Sequence, residues 1–320
     1  MPEGHTVHRL ARTFATLFDG EILRVGSPQG RFADGAAVLD GRRLVASEAW
    51  GKQLFLGFGE GEPLWLRTHL GLYGAWTFAG APDAPEVAHA IGAPRRRIGE
   101  RETTPGGPAP AGADREAGEP WEPPAPRGQV RVRLLGEHAV ADLTGPTACE
   151  VITGEEKAAV EARLGPDPIR DDADAAAFVA AVGRSRVTIG QQLMDQAVVA
   201  GVGNIYRAEA LFRAGVDPLR PGRDVPEAVV RAIWDDLVVL MRDGAEHGAI
   251  VTTRPEHRTG EPVGRRRTRQ NTDGNPDAVP ADQAFYVYHR DGLPCRVCGT
   301  PVLVKELAGR NLFWCPTCQV

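Results

Sequence analysis

The sequence predicts a multidomain α+β protein, with a β-rich first segment, a helical middle segment and a small cysteine module at the end. Three observations carry this prediction. Short apolar runs are separated by Gly or Pro in residues 1–150, apolar residues recur at helical spacing in residues 151–257, and two Cys-x-x-Cys pairs stand in residues 285–320. A chain of 320 residues is long enough for two or more domains with cores of their own.

Composition narrows the class of protein. Hydrophobic residues make up 42% of the chain and charged residues 25%, which is ordinary for a soluble globular protein. The start, MPEGHTVHRL, lacks the basic region and apolar core of a secretory signal, so we expect a cytoplasmic monomer without a membrane partner. The net charge of −5 argues against nonspecific nucleic-acid binding by total charge, but it allows a localised basic face.

The first segment, residues 1–150, begins with an amphipathic stretch and then consists of strands. The runs LVASEAW, KQLFLGF, LWLRTHL, GAWTF, VRVRLL and AVADL are short, apolar and bounded by turn residues. Many short strands of this kind predict a β-sandwich or a barrel. Residues 81–127 are rich in Pro, Gly and charge, which predicts a disordered insertion.

The second segment, residues 151–257, carries apolar residues at helical spacing between breaks of Pro and Gly. It therefore predicts a helical domain. Residues 258–284 have the same polar, Pro- and Gly-containing composition as the first insertion, and we expect a second disordered insertion there.

The third segment, residues 285–320, holds the two cysteine pairs. Cys295 and Cys298, with Cys315 and Cys318, can bring four thiolates to one tetrahedral ion, which predicts one structural Zn²⁺. Two disulfides are the alternative, and the expected intracellular location disfavours them. A module this small needs the metal for its stability. Arg310 follows Gly309 at the expected hairpin tip, where it suits phosphate recognition, although a solvated arginine is the plainer interpretation.

Four motifs in order carry a resemblance to a known family. They are Pro2-Glu3-Gly4 at the start, Lys52 in WGKQLFL, LMDQ with AGVGNIY at residues 193–206, and GRNLFWCPTCQ at the end. Together they resemble the formamidopyrimidine-DNA glycosylase and endonuclease VIII family, above all the endonuclease VIII-like enzymes of actinobacteria. The resemblance covers nearly the whole chain outside the two insertions. It implies an N-terminal catalytic β-sandwich, a helix–two-turn–helix DNA-binding domain and a β-hairpin zinc finger.

The resemblance also implies an activity. A bifunctional DNA glycosylase and AP lyase of base excision repair would excise oxidised bases, above all pyrimidines, from damaged double-stranded DNA. Abasic-site DNA and single-stranded DNA are further expected partners, and the protein would associate with the nucleoid when bound to DNA. Pro2, exposed by removal of Met1, would attack the sugar as a secondary amine and form a Schiff base, followed by β,δ-elimination. Glu3 would act as the general acid and base.

Five further residues receive roles from the same resemblance, each beside a plainer interpretation. Lys52 would hold a phosphate or polarise the sugar, and a solvated charge is its alternative. The side chain of Asn204 and the backbone amides around it would grip a phosphate, and a plain helix cap is compatible with that role. Arg310 would clamp the phosphates that flank the extruded nucleotide. Leu72 and Tyr73 would fill the gap left in the stack, and core packing is the alternative for Leu72.

One position departs from the family. The endonuclease VIII pattern often has a second acidic residue where this chain has Thr6, so the resemblance supports the chemistry better than the lesion preference. Three alternatives remain at this point: an AP lyase with little glycosylase activity, a non-catalytic protein that binds damaged DNA, and a zinc-ribbon factor of transcription or translation.

Overall fold

The computed structural model describes residues 2–92, 121–258, 279–280 and 282–320. These residues form two compact units between which the chain passes more than once. The first unit contains Pro2, Leu10–Glu48 and Leu54–Gly154, and the second contains Glu3–Arg9, Ala49–Gln53 and Glu155–Val320. The predicted domain boundaries at residues 150, 257 and 284 stay a prediction.

Antiparallel strands dominate the described residues of the β-rich part. Their hydrogen-bonded order is β6-β5-β8-β7-β1-β2-β3-β4-β9. Every run that the sequence analysis predicted as a strand lies in one of them, whereas β1, β6 and β9 were not predicted. The strands are β1 (Ile22–Gly26), β2 (Arg42–Trp50), β3 (Gln53–Phe58), β4 (Leu64–His69), β5 (Ala75–Gly80), β6 (Ala90–Gly92), β7 (Val130–Leu135), β8 (Ala139–Thr144) and β9 (Ala148–Ile152).

Two helices accompany these strands, α1 (Gly4–Phe18) and α2 (Ala33–Leu39). The predicted amphipathic start is α1, whose apolar side chains recur at helical spacing and are buried. In the first unit, the ring of Phe14 stands edge-on to Trp76 at 4.8 Å and to Phe78 at 5.4 Å. Edge-to-face contacts of this kind add to the free energy gained by burying the rings, so they anchor this part of α1 to β5.

The second unit is helical, as the sequence predicts. Its core joins α4 and α7 through Phe178 and Trp234, whose ring centroids are 5.4 Å apart. Within the described part of the chain, the structure contains no helix with the length and apolar character needed to cross a membrane. The helices are α3 (Gly154–Glu161), α4 (Ala175–Gly183), α5 (Ile189–Gln192), α6 (Asn204–Arg213) and α7 (Glu227–His247).

The cysteine module contains a two-stranded hairpin, β10 (Leu303–Leu307) and β11 (Arg310–Trp314). Leu307 pairs with Arg310, so the turn consists of Ala308 and Gly309 alone. Both turn residues have positive φ, 52° and 72°, which is the geometry that a two-residue hairpin favours. Arg310 therefore stands next to the hairpin tip, as the sequence predicts.

Glu209 of α6 ties the cysteine module to the helices of the second unit. Its carboxylate is fully buried and accepts the backbone N–H groups of Tyr286, Val287 and Tyr288, each at 2.8 Å, together with the hydroxyl of Thr252. A buried carboxylate without such donors would be strongly destabilising, and here four donors compensate it. These hydrogen bonds hold the start of the module against α6.

Parts of both predicted insertions are ordered in the structure, contrary to the sequence analysis. Within residues 81–127, strand β6 pairs with β5, and Ile91 is buried. Within residues 258–284, Ala284 is fully buried, and its carbonyl accepts the N–H of Thr252 at 2.9 Å. A few apolar residues suffice for such contacts. The composition of a long segment does not reveal these residues, because the many polar residues around them dominate the average. Residues 93–120, 259–278 and 281 lie outside the described residues.

Candidate active site and zinc centre

Glu3 lies at the N-terminus of α6 in the second unit. Its side chain is fully buried, and its carboxylate accepts the backbone N–H groups of Gly203 and Ile205 at 2.8 Å and that of Tyr206 at 3.4 Å. The first amides of a helix have no partner within the helix, and the helix dipole favours an anion there. These amides therefore hold a carboxylate of the protein, where the sequence analysis expected them to hold a phosphate.

Burial raises the pKa of Glu3 above its ordinary value, while the positive charge of Lys52 and the amide hydrogen bonds of Ile205 and Tyr206 oppose that shift. A raised pKa lets a carboxyl group hold a proton closer to neutral pH. Glu3 can thus both donate and accept a proton, which is what general acid–base catalysis requires.

Three glycines, Gly4, Gly201 and Gly203, allow the backbone around residues 201–203 to lie very close to Glu3 and its neighbour. A Cβ atom at Gly203 would lie 2.5 Å from the Glu3 carboxyl carbon, and one at Gly4 would lie 2.7 Å from the Cα of Gly201. Gly4 donates its N–H to the carbonyl of Gly201 at 2.8 Å, and Gly201 has a φ of 90°. Only glycine fits this close approach and this backbone conformation.

Lys52 lies in the tight turn between β2 and β3, directly after Gly51. Gly51 has a φ of 58°, and a Cβ there would lie 2.9 Å from that of Ala200. The half-buried ammonium of Lys52 donates to the carbonyl of Val202 at 2.8 Å. Burial lowers its pKa, the negative charge of Glu3 raises it, and the positive charge of Arg310 lowers it further. The solvated-charge interpretation of Lys52 is therefore wrong.

Asp167 supports the Lys52 turn, and the sequence analysis missed it. This fully buried carboxylate accepts the N–H of Gly51 at 2.7 Å, the ring nitrogen Nε2 of His8 at 2.7 Å and the N–H of Ile169 at 3.0 Å. It thereby joins the start of α1 to the turn before Lys52. Only its position in the sequence Gly165-Pro-Asp-Pro, a break between helices, could have drawn attention to it.

Asn204 is the first residue of α6, and Gly203 is the residue that caps the helix. The plain-cap interpretation of Asn204 is therefore wrong. Its amide nitrogen donates to the carbonyl of Asn311 at 3.0 Å, and its amide oxygen accepts from Arg207. An amide NH₂ group has two hydrogens, so this contact leaves one of them for a further acceptor.

Arg207 is a second residue that the sequence analysis missed. Its guanidinium is fully buried and donates to the carbonyl of Asn311 at 3.0 Å, next to Arg310 in the chain. Burial lowers its pKa to about 10; the charge of Glu3 opposes this shift and that of Arg310 adds to it. Arg310 itself is exposed. Lys52 and Arg207 thus interact electrostatically with the Glu3 carboxylate, and Arg310 interacts with both of these cations. This concentration of positive charge favours an anionic ligand.

The remaining predicted residues lie as follows. Pro2 is buried and belongs to the first unit. It is the residue directly before Glu3 in the chain. Leu72 and Tyr73 lie on the loop between β4 and β5, and they are 38% and 54% exposed. The core-packing interpretation of Leu72 is therefore wrong. Thr6 is half-buried, and its hydroxyl lies 3.2 Å from His5 Nε2.

The four cysteines of the final module fit one metal ion. All four Sγ atoms lie within 4.8 Å of one another, and the pairs Cys295–Cys318 and Cys298–Cys315 are 3.9 and 3.5 Å apart. Tetrahedral zinc with Zn–S bonds of about 2.3 Å requires sulfurs about 3.8 Å apart, whereas a disulfide requires about 2.05 Å. The donor set and spacing therefore suit a structural Zn²⁺ and not two disulfides.

Comparison with known proteins agrees with this arrangement. The family model for the formamidopyrimidine-DNA glycosylase N-terminal domain matches residues 1–97, that for the H2TH domain matches residues 164–255, and that for the zinc finger found in FPG and IleRS matches residues 292–320. Endonuclease 8 1 of Mycobacterium tuberculosis is 44% identical over 319 residues, 100% of both chains. This chain belongs to the formamidopyrimidine-DNA glycosylase and endonuclease VIII family.

Other members of this family are similar over less of the chain or at lower identity. The formamidopyrimidine-DNA glycosylase of Thermus thermophilus is 36% identical over 157 residues, which are 49% of this chain and 54% of that protein. The structure of Lactococcus lactis Fpg in complex with abasic-site DNA superimposes with a TM-score of 0.68 at 19% identity and covers 99% of each chain. The predicted fold is confirmed: an N-terminal β-sandwich, a helix–two-turn–helix domain and a C-terminal zinc finger with a β-hairpin.

Proposed function

We propose that this bifunctional DNA glycosylase and AP lyase of base excision repair uses the secondary amine of Pro2 as its nucleophile and Glu3 as its general acid and base. The observation that carries the proposal is the Glu3 carboxylate, fully buried and held by the N-terminal amides of α6, one residue after the proline. Burial raises the pKa of Glu3, and acids with strongly perturbed pKa values cluster at functional sites.

The chemistry follows from these two residues. Once Met1 is removed, the Pro2 nitrogen attacks C1′ of the damaged nucleotide, the C1′–base bond breaks, and the base leaves with the bonding electrons and a proton. Opening of the sugar ring, with a proton delivered to its oxygen by Glu3, gives an iminium ion between Pro2 and C1′. The iminium acidifies the C2′ proton, so β-elimination expels the 3′ phosphate. A second, δ-elimination expels the 5′ phosphate and leaves a one-nucleotide gap.

The positive groups of the second unit would hold the DNA backbone. The ammonium of Lys52, the free amide hydrogen of Asn204 and the exposed guanidinium of Arg310 suit phosphate oxygens beside the lesion. The net charge of −5 means that the protein as a whole does not attract DNA, so binding requires a local cluster of positive groups such as this one.

The nucleotide must leave the stack before its C1′ is accessible. Leu72 and Tyr73 would occupy the space it leaves, since both are exposed apolar side chains on one loop. Oxidised pyrimidines would be the preferred bases, because saturated rings stack poorly and cost less to extrude. We place this reaction in the bacterial cytoplasm, on nucleoid DNA, with the enzyme as a monomer.

Borohydride trapping on an abasic-site duplex tests the proposal. The mature protein that begins with Pro2 should form a covalent adduct, and peptide mass spectrometry should locate it on Pro2. The same chain with an uncleaved N-terminal extension should form none, because its Pro2 nitrogen is an amide. Trapping by the extended form at the parental rate, or an adduct on Lys52, would overturn the assignment. Trapping and nicking without release of any damaged base would identify an AP lyase, and DNA binding without trapping would identify a damage-binding protein.

A further inference from the structure

The turn Gly201–Gly203 forms hydrogen bonds with two charged side chains of the candidate active site, Glu3 and Lys52. The N–H of Gly203 donates to the Glu3 carboxylate at 2.8 Å, and the carbonyl of Val202 accepts from the Lys52 ammonium at 2.8 Å. A displacement of this turn therefore moves the acid and the cation together. The position of the turn is as important to the reaction as the two side chains are.

Gln196 clamps this turn with both ends of its side-chain amide. Its oxygen Oε1 accepts the N–H of Gly201 at 3.0 Å, and its nitrogen Nε2 donates to the carbonyls of Val202 at 3.0 Å and Met194 at 3.2 Å. The side chain thus pairs with the backbone as a peptide group does in a β-ladder. Gln196 lies between α5 and α6, in a segment without the regular hydrogen bonds of a helix.

We propose that Gln196 is a positioning residue of the reaction, which fixes the Lys52 ammonium and the Glu3 carboxylate through the Gly201–Gly203 turn. The inference rests on the proposed function, because it assigns a role in that chemistry. Its physical basis is the shared carbonyl of Val202, whose two lone pairs accept from Gln196 and from Lys52. The two side chains therefore converge on one oxygen atom.

This convergence predicts different results from two substitutions of similar size. Gln196→Met keeps the length of the side chain and removes its hydrogen bonds, so the turn loses its clamp. Gln196→Glu places a carboxylate beside the Val202 carbonyl, where it repels that oxygen and attracts the Lys52 ammonium away from a phosphate. Protonation of the new carboxyl group restores an O–H donor to the carbonyl.

The test measures single-turnover borohydride trapping and DNA affinity of the zinc-loaded, mature protein on an abasic-site duplex. Gln196→Met should lower the trapping rate by about 10- to 100-fold while DNA affinity changes little, as expected for a small displacement of reacting groups. Gln196→Glu should lose more at neutral pH, and its rate relative to the parent should recover as the pH falls. Gln191→Met, at an exposed glutamine of α5, is the matched control and should trap as the parent does.

The outcomes separate the inference from the function on which it rests. Failure of the parent protein to form any adduct would overturn the proposed function. If the parent forms an adduct and both Gln196 variants trap at the parental rate, the positioning role is wrong. If both variants lose trapping, DNA affinity and zinc together, with no recovery of Gln196→Glu at low pH, Gln196 serves folding alone and the inference is overturned.

Discussion

The carboxylate of Glu3 lies 2.8 Å from the backbone nitrogen of Gly203, although 200 residues separate them in the chain. A Cβ atom at Gly203 would lie 2.5 Å from the carboxyl carbon of Glu3, far inside van der Waals contact. The acid and the glycine therefore form one structural element, in which the absence of a side chain at one position creates the site for the other.

Gly203→Ala should consequently displace Glu3. We expect single-turnover base release and trapping to fall by about 100-fold, because a shift of about 1 Å in a reacting group has that effect. DNA affinity should fall much less. Gly183→Ala is the matched control, because a Cβ there meets no atom within 4 Å, and it should leave the rate unchanged. Parental rates in Gly203→Ala would show that Glu3 does not depend on this contact.

Arg310→Ala should remove one phosphate contact. A plot of log affinity against log salt should then become shallower by about 1, and affinity at low salt should drop. Arg242→Ala is the matched control, because it also removes one positive charge, here from an exposed ion pair with Asp171. An unchanged salt slope in Arg310→Ala would exclude the phosphate role.

Cys315→Ser should reduce bound zinc to well below one ion per chain, because three ligands remain of the four that converge. We expect the hairpin that carries Arg310 to unfold and DNA affinity to fall. Metal analysis and a binding titration measure both effects. Cys149→Ser removes a thiol outside the cluster, and its zinc content should match that of the parent. Parental DNA affinity in Cys315→Ser would separate the zinc finger from DNA binding.

Asp142 of β8 gives a prediction about stability and pH. Burial raises its pKa to about 6, although the charge of Arg133 opposes the shift. A raised pKa means that the folded state favours the protonated acid, so this contribution to the free energy of unfolding is fully present below about pH 4 and is lost as the pH rises to about 6.

Asp142→Asn stays neutral at every pH. Its free energy of unfolding relative to the parent should therefore increase between about pH 4 and about pH 6.5, by on the order of 2 kcal/mol. Denaturant titrations at several pH values measure the difference. Asp83→Asn, at an exposed carboxylate of the same unit, is the control for removing one charge. A difference that stays constant over this range would contradict the raised pKa.

The predicted lesion preference depends on the assignment of this chain to the endonuclease VIII branch of the family. Abasic sites should be cut first, saturated pyrimidines such as thymine glycol and dihydrouracil next, and 8-oxoguanine opposite cytosine poorly, because that base still stacks and pairs. Single-turnover rates on matched duplexes give the order. Fastest cleavage of 8-oxoguanine opposite cytosine would contradict the assignment to the endonuclease VIII branch, while the Pro2 chemistry would stand.

The sequence alone determined what short-range spacing controls. The two Cys-x-x-Cys pairs specify four ligands, and Gly309 specifies the turn that precedes Arg310, because neighbouring residues decide both features. The start Pro2-Glu3 likewise places the proposed nucleophile beside its acid through one peptide bond. The four cysteines and the hairpin turn were predicted with the correct residue numbers, and the roles of Pro2 and Glu3 stay a prediction.

Only the tertiary structure decided which groups surround that acid. The amides that hold Glu3 and the Gln196 clamp belong to the LMDQ and AGVGNIY motif, but the motif by itself did not indicate these contacts. The Asp167 carboxylate, which accepts from the Lys52 turn, lies outside every motif. Glu209 is a further example, since its sequence neighbours are those of an ordinary helix. Hydrogen bonds between residues far apart in the chain depend on how the elements pack, and hydrophobic spacing predicts the elements without fixing that packing. For this reason the sequence could suggest the reacting residues, and it could not identify the residues that hold Glu3 and Lys52 in place.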